Sequence, residues 1–362
     1  MKSPADYIIL IATLLISSQT SATSQTTYTA KLIGENSRNS YFNAVAINDW
    51  GYATGQRNNA AYIWNPNTAD FQALTWDAIS YGLDINNHGQ VVGYVGDSNS
   101  VMWTNGVGVA LGNWRSAANK INNNGVSVGW QYNLEKCCWP QNATVWSGAT
   151  NTMLSTDSQF LEAHSINDSG LVVGITSSRQ LFTWNGQARI YEDVFVSGRV
   201  AVNESGVIAG NIRNTSYGGF ILNGAGITVV PDIEISSISN SGLVFGYGYG
   251  DSAARGAIFL DETFTKREFR SLVIEGEIAE TVNFSKAIDV NNRGQVLVEG
   301  SNTANGGNTQ YYLLTPVSAV PEVSSFSALL GGIPVVLFLS LRARRNASRS
   351  RTTHGSRNIS NY

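Results

Sequence analysis

A short motif that recurs seven times constrains the fold of this 362-residue chain more than any other feature. Its clearest copies begin at Ile85, Ile121 and Ile166 and read Ile-Asn-x-x-Gly, followed by a short β-rich segment and a second glycine. The first glycines of the seven copies are 38, 36, 45, 36, 36 and 52 residues apart; they are Gly51, Gly89, Gly125, Gly170, Gly206, Gly242 and Gly294. Seven copies at this period predict a repeat architecture.

Each copy has the chemistry of a β-hairpin. Asn is favoured at the first position of a type I turn, Asn or Asp tolerates the next, and Gly ends the turn where φ must be positive. The following pairs such as Val91-Val92 suit a buried strand, and the second glycine, for example Gly93, suits a place where strands crowd. Calcium ligation is the alternative use of these side chains. The copies lack the alternating Asp pattern and closing Glu of a calcium loop, which favours turn chemistry.

Further strands are predicted after each hairpin. A short apolar segment ends in a large residue, which in the first four units is Trp64, Trp103, Trp146 and Trp184. A weaker strand follows in several units, for example at residues 71–74 and 109–111. Four short strands in a unit of about 40 residues are typical of a β-propeller blade. The predicted fold class is therefore all-β, a β-propeller of about seven four-stranded blades.

The two ends of the repeat region predict ring closure. The last unit ends after its third strand, at Leu314, and an unpaired strand candidate precedes the first unit at residues 28–33. If this N-terminal strand completes the last blade, the ring closes and the open edges are protected. A solenoid would instead need a cap at each end, and the extra strand would have no explanation.

The net charge of the repeat region argues against a nucleic-acid partner. Residues 25–320 contain 16 Lys or Arg and 24 Asp or Glu, a net charge of −8. No basic stripe is present to neutralise phosphates, so no nucleic-acid partner is expected.

Cys137 and Cys138 are adjacent and cannot link distant strands, so stability must come from the core. They are either loop cysteines without a catalytic role or a strained vicinal disulfide.

The tryptophans fall into two groups. Trp64 and its three equivalents recur with the period of the blades, so packing between blades explains them better than stacking on a ligand. Trp50 lies at a turn tip, whereas Trp114, Trp130 and Trp139 lie outside the repeat frame. Trp50, Trp114 and Trp130 are therefore the candidate platforms on which a ligand such as a sugar ring stacks.

Signs of catalysis are few. The histidines are His88, at a turn tip, His164, and His354 near the C-terminus. No Ser-His-Asp order, zinc-ligand spacing or phosphate-binding loop is present, and we predict no catalytic residue, metal or cofactor. Propellers can bring catalytic residues together from different blades, however, and spacing along the chain does not reveal this.

Both ends of the chain predict export. Residues 7–16 form an apolar run that small polar residues follow up to Ser24, the layout of a signal peptide over residues 1–24. Near the other end, residues 323–341 are 19 residues without charge. As a helix they would span about 28 Å, enough to cross a bilayer. Arg342, Arg344 and Arg345 follow and are expected on the cytoplasmic side.

The repeat units resemble the HAF extracellular repeat of bacteria. The resemblance rests on the Ile-Asn-x-x-Gly-x-Val-Val-Gly core and on following strands such as residues 61–64 and 219–222. It covers residues 28–315, within a repeat domain that we place at residues 25–317. The resemblance implies an extracellular, propeller-like domain and assigns no activity.

The C-terminal segment, residues 318–345, is similar to the PEP-CTERM sorting signal of Gram-negative bacteria. The similarity lies in the order of a short motif, a membrane span and an arginine cluster; the motif residues are Val320, Pro321, Glu322 and Val323. It implies processing near Pro321-Glu322 by an exosortase, a membrane cysteine transpeptidase. The protein would be held in the inner membrane until then and reach the cell surface or extracellular matrix afterwards. A plain single-pass anchor, with residues 346–362 as a basic cytoplasmic tail, is the alternative.

These features lead to one main hypothesis about function. The protein is a non-catalytic, exported surface or matrix protein whose propeller binds exopolysaccharide or an envelope partner. A glycan-active hydrolase or lyase on the same scaffold is the alternative, and carboxylates converging at one mouth of the ring would favour it. A purely structural spacer is the third possibility.

Overall fold

The computed structural model describes residues 26–317 except 75, 77, 137–139, 149, 156–158, 214–217, 225, 250–255, 261–264, 274–280 and 303–305. The predicted signal peptide, sorting motif, membrane span, arginine cluster and tail lie outside the described residues, as do Cys137, Cys138, Trp139 and His354. Within the described part, no helix has the length and apolar character needed to cross a membrane.

The strands follow the repeat. The first, β1 (Thr27–Glu35), precedes the repeats. Unit 1 contains β2 (Phe42–Ile47), β3 (Ala53–Arg57), β4 (Ala60–Trp64) and β5 (Phe71–Ala73). Unit 2 contains β6 (Ser80–Ile85), β7 (Val91–Val95), β8 (Asn99–Thr104) and β9 (Val107–Trp114). Unit 3 contains β10 (Ser116–Ile121), β11 (Val126–Tyr132), β12 (Gln141–Ser147) and β13 (Thr150–Met153).

The later units repeat this order. Unit 4 contains β14 (Phe160–Ile166), β15 (Val172–Thr176), β16 (Gln180–Trp184) and the first part of β17 (Ala188–Val202). Unit 5 contains the second part of β17, β18 (Ile208–Ile212), β19 (Gly218–Asn223) and β20 (Gly226–Pro231). Unit 6 contains β21 (Ile233–Ile238), β22 (Val244–Gly248), β23 (Gly256–Leu260) and β24 (Lys266–Glu268), and a 3₁₀ helix (Phe269–Ser271) follows. Unit 7 contains β25 (Val282–Val290), β26 (Val296–Asn302) and β27 (Thr309–Val317).

Hydrogen bonding groups the described strands into six antiparallel sheets, five of four strands and one of seven. The seven-stranded sheet arises because β17 is long enough to serve two units. Its first part pairs with β16, and its second part, from Val196 to Val202, pairs with β18. β17 is therefore the outer strand of unit 4 and the inner strand of unit 5.

The inner strands of the units form a closed ring. Each of β2, β6, β10, β14, β17, β21 and β25 contacts the next, and β25 contacts β2. β1 pairs antiparallel with β27, from Thr27 opposite Val317 to Glu35 opposite Gln310. It therefore supplies the fourth strand of the last unit. The predicted all-β propeller with an N-terminal strand in its last sheet is confirmed.

The core lies between neighbouring units. Trp64 is fully buried in a cluster with Leu297 and Leu313 of unit 7. Trp103 is equally buried and shares a cluster with Ala61 of unit 1. Each of these indoles fills the space between its own unit and the preceding one, which is why a large residue recurs at the end of the third strand.

Candidate functional site

The seven motif turns lie together at one end of the ring, which we call the turn face. All seven motif glycines have φ between 73° and 87°. The N–H of each glycine donates to the carbonyl of the residue three positions earlier, at 2.9–3.1 Å. Asn122 shows the use of the motif asparagine: its Oδ1 accepts hydrogen bonds from the N–H groups of Asn124 and Val126, at 3.1 and 2.9 Å. This is the geometry that the turn interpretation predicts.

The same asparagines connect the units to one another. Asn122 Nδ2 donates to the carbonyl of Asn167 in the next unit, at 3.0 Å. Equivalent bonds of 2.8–3.1 Å join six of the seven neighbouring turns, with asparagine donors at positions 48, 86, 122, 167, 203 and 291. Among the described residues, the bond is missing between Ser239 and Asn291, because serine lacks an amide group to donate. The sequence did not reveal this role of the asparagine, since the acceptor belongs to another unit.

The ring encloses a central channel, and a second set of hydrogen bonds surrounds the mouth of this channel on the turn face. The residue after each motif asparagine, or after Ser239 in unit 6, lines this mouth; these residues are Asp49, Asn87, Asn123, Asp168, Glu204, Asn240 and Asn292. Asn123 N donates to Asp168 Oδ1 at 2.7 Å, and most neighbouring pairs repeat this bond. Burial, with the Asp168 and Asp49 charges, raises the pKa of Glu204 despite a hydrogen bond from Asp168 N. In the described part of the chain, no three acidic, histidine or cysteine side chains converge to hold a metal ion.

A β-bulge in most inner strands explains the second glycine of the motif. In β6 the register shifts between Gly82 and Asp84. The bulge brings the carbonyl of Tyr81 so close to Gly93 that a Cβ there would lie 1.8 Å from the oxygen. The equivalent distances are 1.9–2.2 Å at Gly55, Gly129, Gly174 and Gly246. Only glycine fits where the bulged inner strand crosses its neighbour.

An ion pair between a half-buried lysine and a buried aspartate lies deeper in the channel. Lys120 Nζ is 2.8 Å from Asp84 Oδ1 and 4.0 Å from Asp289 Oδ2. Burial opposes a charge on Lys120, but Asp289 and Asp84 outweigh it and raise the pKa of this lysine. The pKa of Asp84 is raised above its ordinary value, because the effect of burial exceeds the opposing effect of the Lys120 charge. Since the two groups bond directly at 2.8 Å, we take the pair as charged.

His164 lies on the channel wall beyond this pair. Its Nδ1 accepts a hydrogen bond from the backbone N–H of Val200 at 3.2 Å, so in the neutral ring the proton is assigned to Nε2. Nε2 is 3.6 Å from Glu162 Oε2, and Asn119 donates to the other oxygen of Glu162 at 2.8 Å. Burial alone would raise the pKa of Glu162, but the partners His164 and Asn119 outweigh it and lower the pKa.

The lowered pKa of Glu162 gives a prediction about acid stability. A carboxylate of lowered pKa contributes stability that is present above its ordinary value of 4.5 and is lost as the pH falls through its folded value. Glu162→Gln should therefore lower the free energy of unfolding at pH 7 and make its decline below about pH 4.5 shallower. Urea unfolding between pH 7 and pH 3 measures both effects. An unchanged slope with Gln would show that Glu162 is not held ionised by its partners.

The opposite face of the ring carries an aromatic cluster, which we define as Trp114, Arg115, Trp130 and Tyr132. The Arg115 guanidinium lies 4.5 Å from the Trp114 ring centre and 5.8 Å from that of Tyr132. The rings of Trp130 and Tyr132 meet edge to face at 5.6 Å. Trp114 is 45% exposed, and Trp130 is half-buried. The structure thus brings together two of the tryptophans that the sequence nominated.

Local geometry places Trp114 at this edge. Trp114 pairs with Asn99 and Ala110 pairs with Val101, so β9 has extra residues that bulge out next to β8. Arg115 then takes φ 61°, and the chain turns into the inner strand of unit 3. A stacked pair, Tyr81 and Tyr94 at 4.6 Å, lies at the same end of the neighbouring unit 2.

Trp50, the third candidate platform, lies elsewhere. It is at a motif turn on the turn face, 54% exposed, with the Arg293 guanidinium 4.3 Å from its ring centre. It therefore cannot share one binding surface with Trp114 and Trp130, which lie at the other end of the ring. Proximity across units is a tertiary property that the spacing of tryptophans does not contain.

A cavity of about 690 Å³ lies beside the channel mouth on this opposite face. Units 5, 6 and 7 supply most of its wall, including Arg199, Arg213, Glu234, Tyr249 and Lys286. We call it the axial cavity. The sequence contains no indication of it, because its residues come from separate units and follow no common motif.

The closed ring of four-stranded units defines the chain as a β-propeller protein. No family model and no curated protein matches it. Its fold is similar to a chain in the crystal structure of the mitotic checkpoint complex, with a TM-score of 0.50, 10% identity, and coverage of 80% of this chain and 94% of that one. It is similar to YCF48 in a structure bound to D1 peptide, with a TM-score of 0.50, 11% identity, and coverage of 82% and 97%. Regucalcin from Agrobacterium tumefaciens has a TM-score of 0.40, 9% identity, and coverage of 80% and 95%. At such identities, likeness concerns the fold alone.

Proposed function

We propose that this protein is an exported, non-catalytic binding protein whose propeller binds polysaccharide through the aromatic cluster. One observation carries the proposal: Trp114 and Trp130 are joined through Arg115 and Tyr132 into one partly exposed surface. Aromatic rings present flat apolar faces that suit the apolar face of a sugar, and an arginine beside them adds hydrogen-bond donors. The stacked Tyr81 and Tyr94 lie at the same end of unit 2, the unit that also supplies Trp114.

The architecture in this proposal is a propeller of seven blades. The closed ring of seven inner strands and the double use of β17 support this number. A closed ring holds the aromatic cluster, which units 2 and 3 supply, at a fixed distance from the channel mouth. A rigid scaffold of this kind reduces the ordering cost of binding an extended chain.

Export and sorting remain part of the proposal on sequence grounds. The signal-peptide layout, the HAF-like repeats and the PEP-CTERM-like segment support a path through the inner membrane to the surface or matrix. An exosortase-like transpeptidase would act near Pro321-Glu322, and residues 323–341 would hold the chain in the membrane until then. Exopolysaccharide or envelope components are the partners available at that location.

At the end of the ring that carries the aromatic cluster, the pKa directions of the carboxyl groups favour binding over glycoside hydrolysis. At the turn-face mouth, which Asp49, Asp168 and Glu204 line, the pKa of Glu204 is raised, and this is the feature that supports the glycan-active alternative. A glycosidase needs one carboxylic acid whose raised pKa keeps it protonated as general acid. The pKa of Glu162, on the channel wall, and that of Glu234, in the cavity of the opposite face, are both lowered. Burial alone would raise these pKa values, but the hydrogen-bond donors of the two carboxylates outweigh burial. Both groups are therefore held ionised at neutral pH, which suits binding and not proton donation.

The test is retention of the full chain, purified in detergent, on polysaccharide from the matrix of the producing bacterium. Trp114→Ala and Trp130→Ala should each weaken retention at least about tenfold, which corresponds to about 1.4 kcal/mol. Trp50→Ala is the matched control, because Trp50 is similarly exposed but lies on the turn face. It should leave retention unchanged.

Three results would contradict this proposal. If Trp50→Ala weakens retention as much as Trp114→Ala, the aromatic cluster is not the binding surface. If new reducing ends appear in the supernatant, the protein is a glycan-active enzyme, which was the alternative from the sequence. Absence of any retention would instead favour a protein partner or a structural spacer.

A further inference from the structure

The axial cavity has an excess of positive charge. Its lining includes three cationic side chains, Arg199, Arg213 and Lys286, and one carboxylate, Glu234. Glu234 is already satisfied: Lys286 Nζ lies 2.8 Å from Oε1, and the Tyr249 hydroxyl donates to Oε2 at 2.7 Å. Glu234 thus neutralises Lys286, which leaves Arg199 and Arg213 as two cations without an ion-pair partner among the described residues.

No described residue forms a hydrogen bond or ion pair with either arginine side chain. Glu162, a further carboxylate on the channel wall, is near enough for the charge of Arg199 to lower its pKa, but its direct partners are Asn119, which donates a hydrogen bond, and His164. Both arginines are exposed to solvent. Two guanidinium groups without partners beside a cavity attract an anion, and their planar geometry suits a carboxylate or phosphate group.

The remaining wall is suited to an organic ligand. Val45, Ile212 and Ile288 give the cavity an apolar surface, and Tyr249 lies on its polar side. Its volume of about 690 Å³ is in the range of small-molecule sites and much exceeds the space that a simple inorganic anion fills. A ligand with an apolar face and one acidic group matches these features.

We propose that the axial cavity binds one acidic sugar unit, with its anionic group held between Arg199 and Arg213. The choice of a sugar rests on the proposed function, because the aromatic cluster occupies the same face of the ring. The acidic group is a carboxylate, as in a uronate, or a phosphate ester, and both share the chemistry that the arginines recognise. The cavity would then select acidic polymers, while the aromatic cluster contributes affinity for sugar rings in general.

Calorimetric titration of the full chain in detergent tests this assignment with three ligands: glucuronate, glucose 6-phosphate and neutral glucose. At least one acidic ligand should bind at least about tenfold more tightly than glucose, and added salt should weaken its binding. Arg199→Gln and Arg213→Gln should each weaken the acidic ligand at least about tenfold. Arg293→Gln, an arginine on the turn face, is the control and should bind as the unchanged protein does. The arginines are exposed, so the variants should keep their melting temperature.

The outcomes separate this inference from the proposed function. Trp114→Ala should lower retention on polysaccharide and leave the titration with the acidic monosaccharide unchanged. If neither acidic ligand binds, or glucose binds as tightly, or both Arg→Gln variants bind normally, the cavity assignment is wrong, whatever the polysaccharide result. If only one acid binds, that result identifies the acidic group and supports the assignment.

Discussion

Gly93→Ala is expected to lower the free energy of unfolding by about 3 kcal/mol or more. The new Cβ would lie 1.8 Å from the carbonyl oxygen of Tyr81, a backbone atom that cannot move without opening the pairing of β6 and β7. Urea unfolding or the melting temperature measures the loss. We expect unit 2 to lose its bulge, or the whole ring to unfold.

Gly89→Ala, four residues earlier, is the matched control. Gly89 has φ 73°, but nothing lies within 4 Å of its added Cβ. Its substitution should cost only about 1–2 kcal/mol, the strain of a left-handed residue that is not glycine. Gly210 in unit 5 is a second comparison, because its nearest neighbour is a side-chain atom, Val200 Cγ1 at 2.6 Å, and not a backbone oxygen. Equal losses at Gly89 and Gly93 would contradict the explanation from crowding.

Asn122→Ala should lower the free energy of unfolding by about 3–5 kcal/mol. The side chain is 5% exposed and makes three hydrogen bonds, to the N–H groups of Asn124 and Val126 and to the carbonyl of Asn167. Each buried polar group that loses its partner costs about 1–3 kcal/mol. Chemical unfolding of the variant and the unchanged protein measures the difference.

The serine in unit 6 provides the reverse experiment. Ser239 accepts the hydrogen bond from Leu243 N but lacks an amide to reach the carbonyl of Asn291. Ser239→Asn should supply the missing link and raise the free energy of unfolding by about 1 kcal/mol. Asn122→Ser should lose less than Asn122→Ala, because a hydroxyl can still accept within the turn. If Ser239→Asn destabilises the protein, the hydrogen bonds between neighbouring turns do not stabilise the closed ring as we describe.

The fold was largely predictable because its signals are local. Each unit carries its own turn asparagine and glycine, so the number and order of the hairpins can be counted along the chain. The prediction that β1 closes the last sheet came from an extra strand before the first unit and a missing fourth strand in the last unit. β24, of three residues, was not predicted, because a strand with one neighbour and little buried surface has a weak sequence pattern. The double role of β17 was equally invisible, because continuity between two blades depends on how their sheets are oriented.

The candidate site was predictable only in part. Trp114 and Trp130 were identifiable because they depart from the period of the repeat. Their connection through Arg115 and Tyr132 depends on an irregular register at the end of β9 and on the positive φ of Arg115. Nothing in the sequence indicates that Arg199 and Lys286 line the same cavity, because they belong to different units and to no shared motif.

The sequence alone determined the repeat, the turn chemistry and the closure of the ring. These follow from short-range preferences of asparagine, glycine and β-branched residues, which act within a few positions of the chain. Only the tertiary structure decided which side chains meet in the channel and on its two faces. Ring closure brings together residues far apart in sequence, and in a strand a shift of one residue turns a side chain from one face to the other. The bulges of the inner strands impose such shifts, so the site emerges only once the ring has formed.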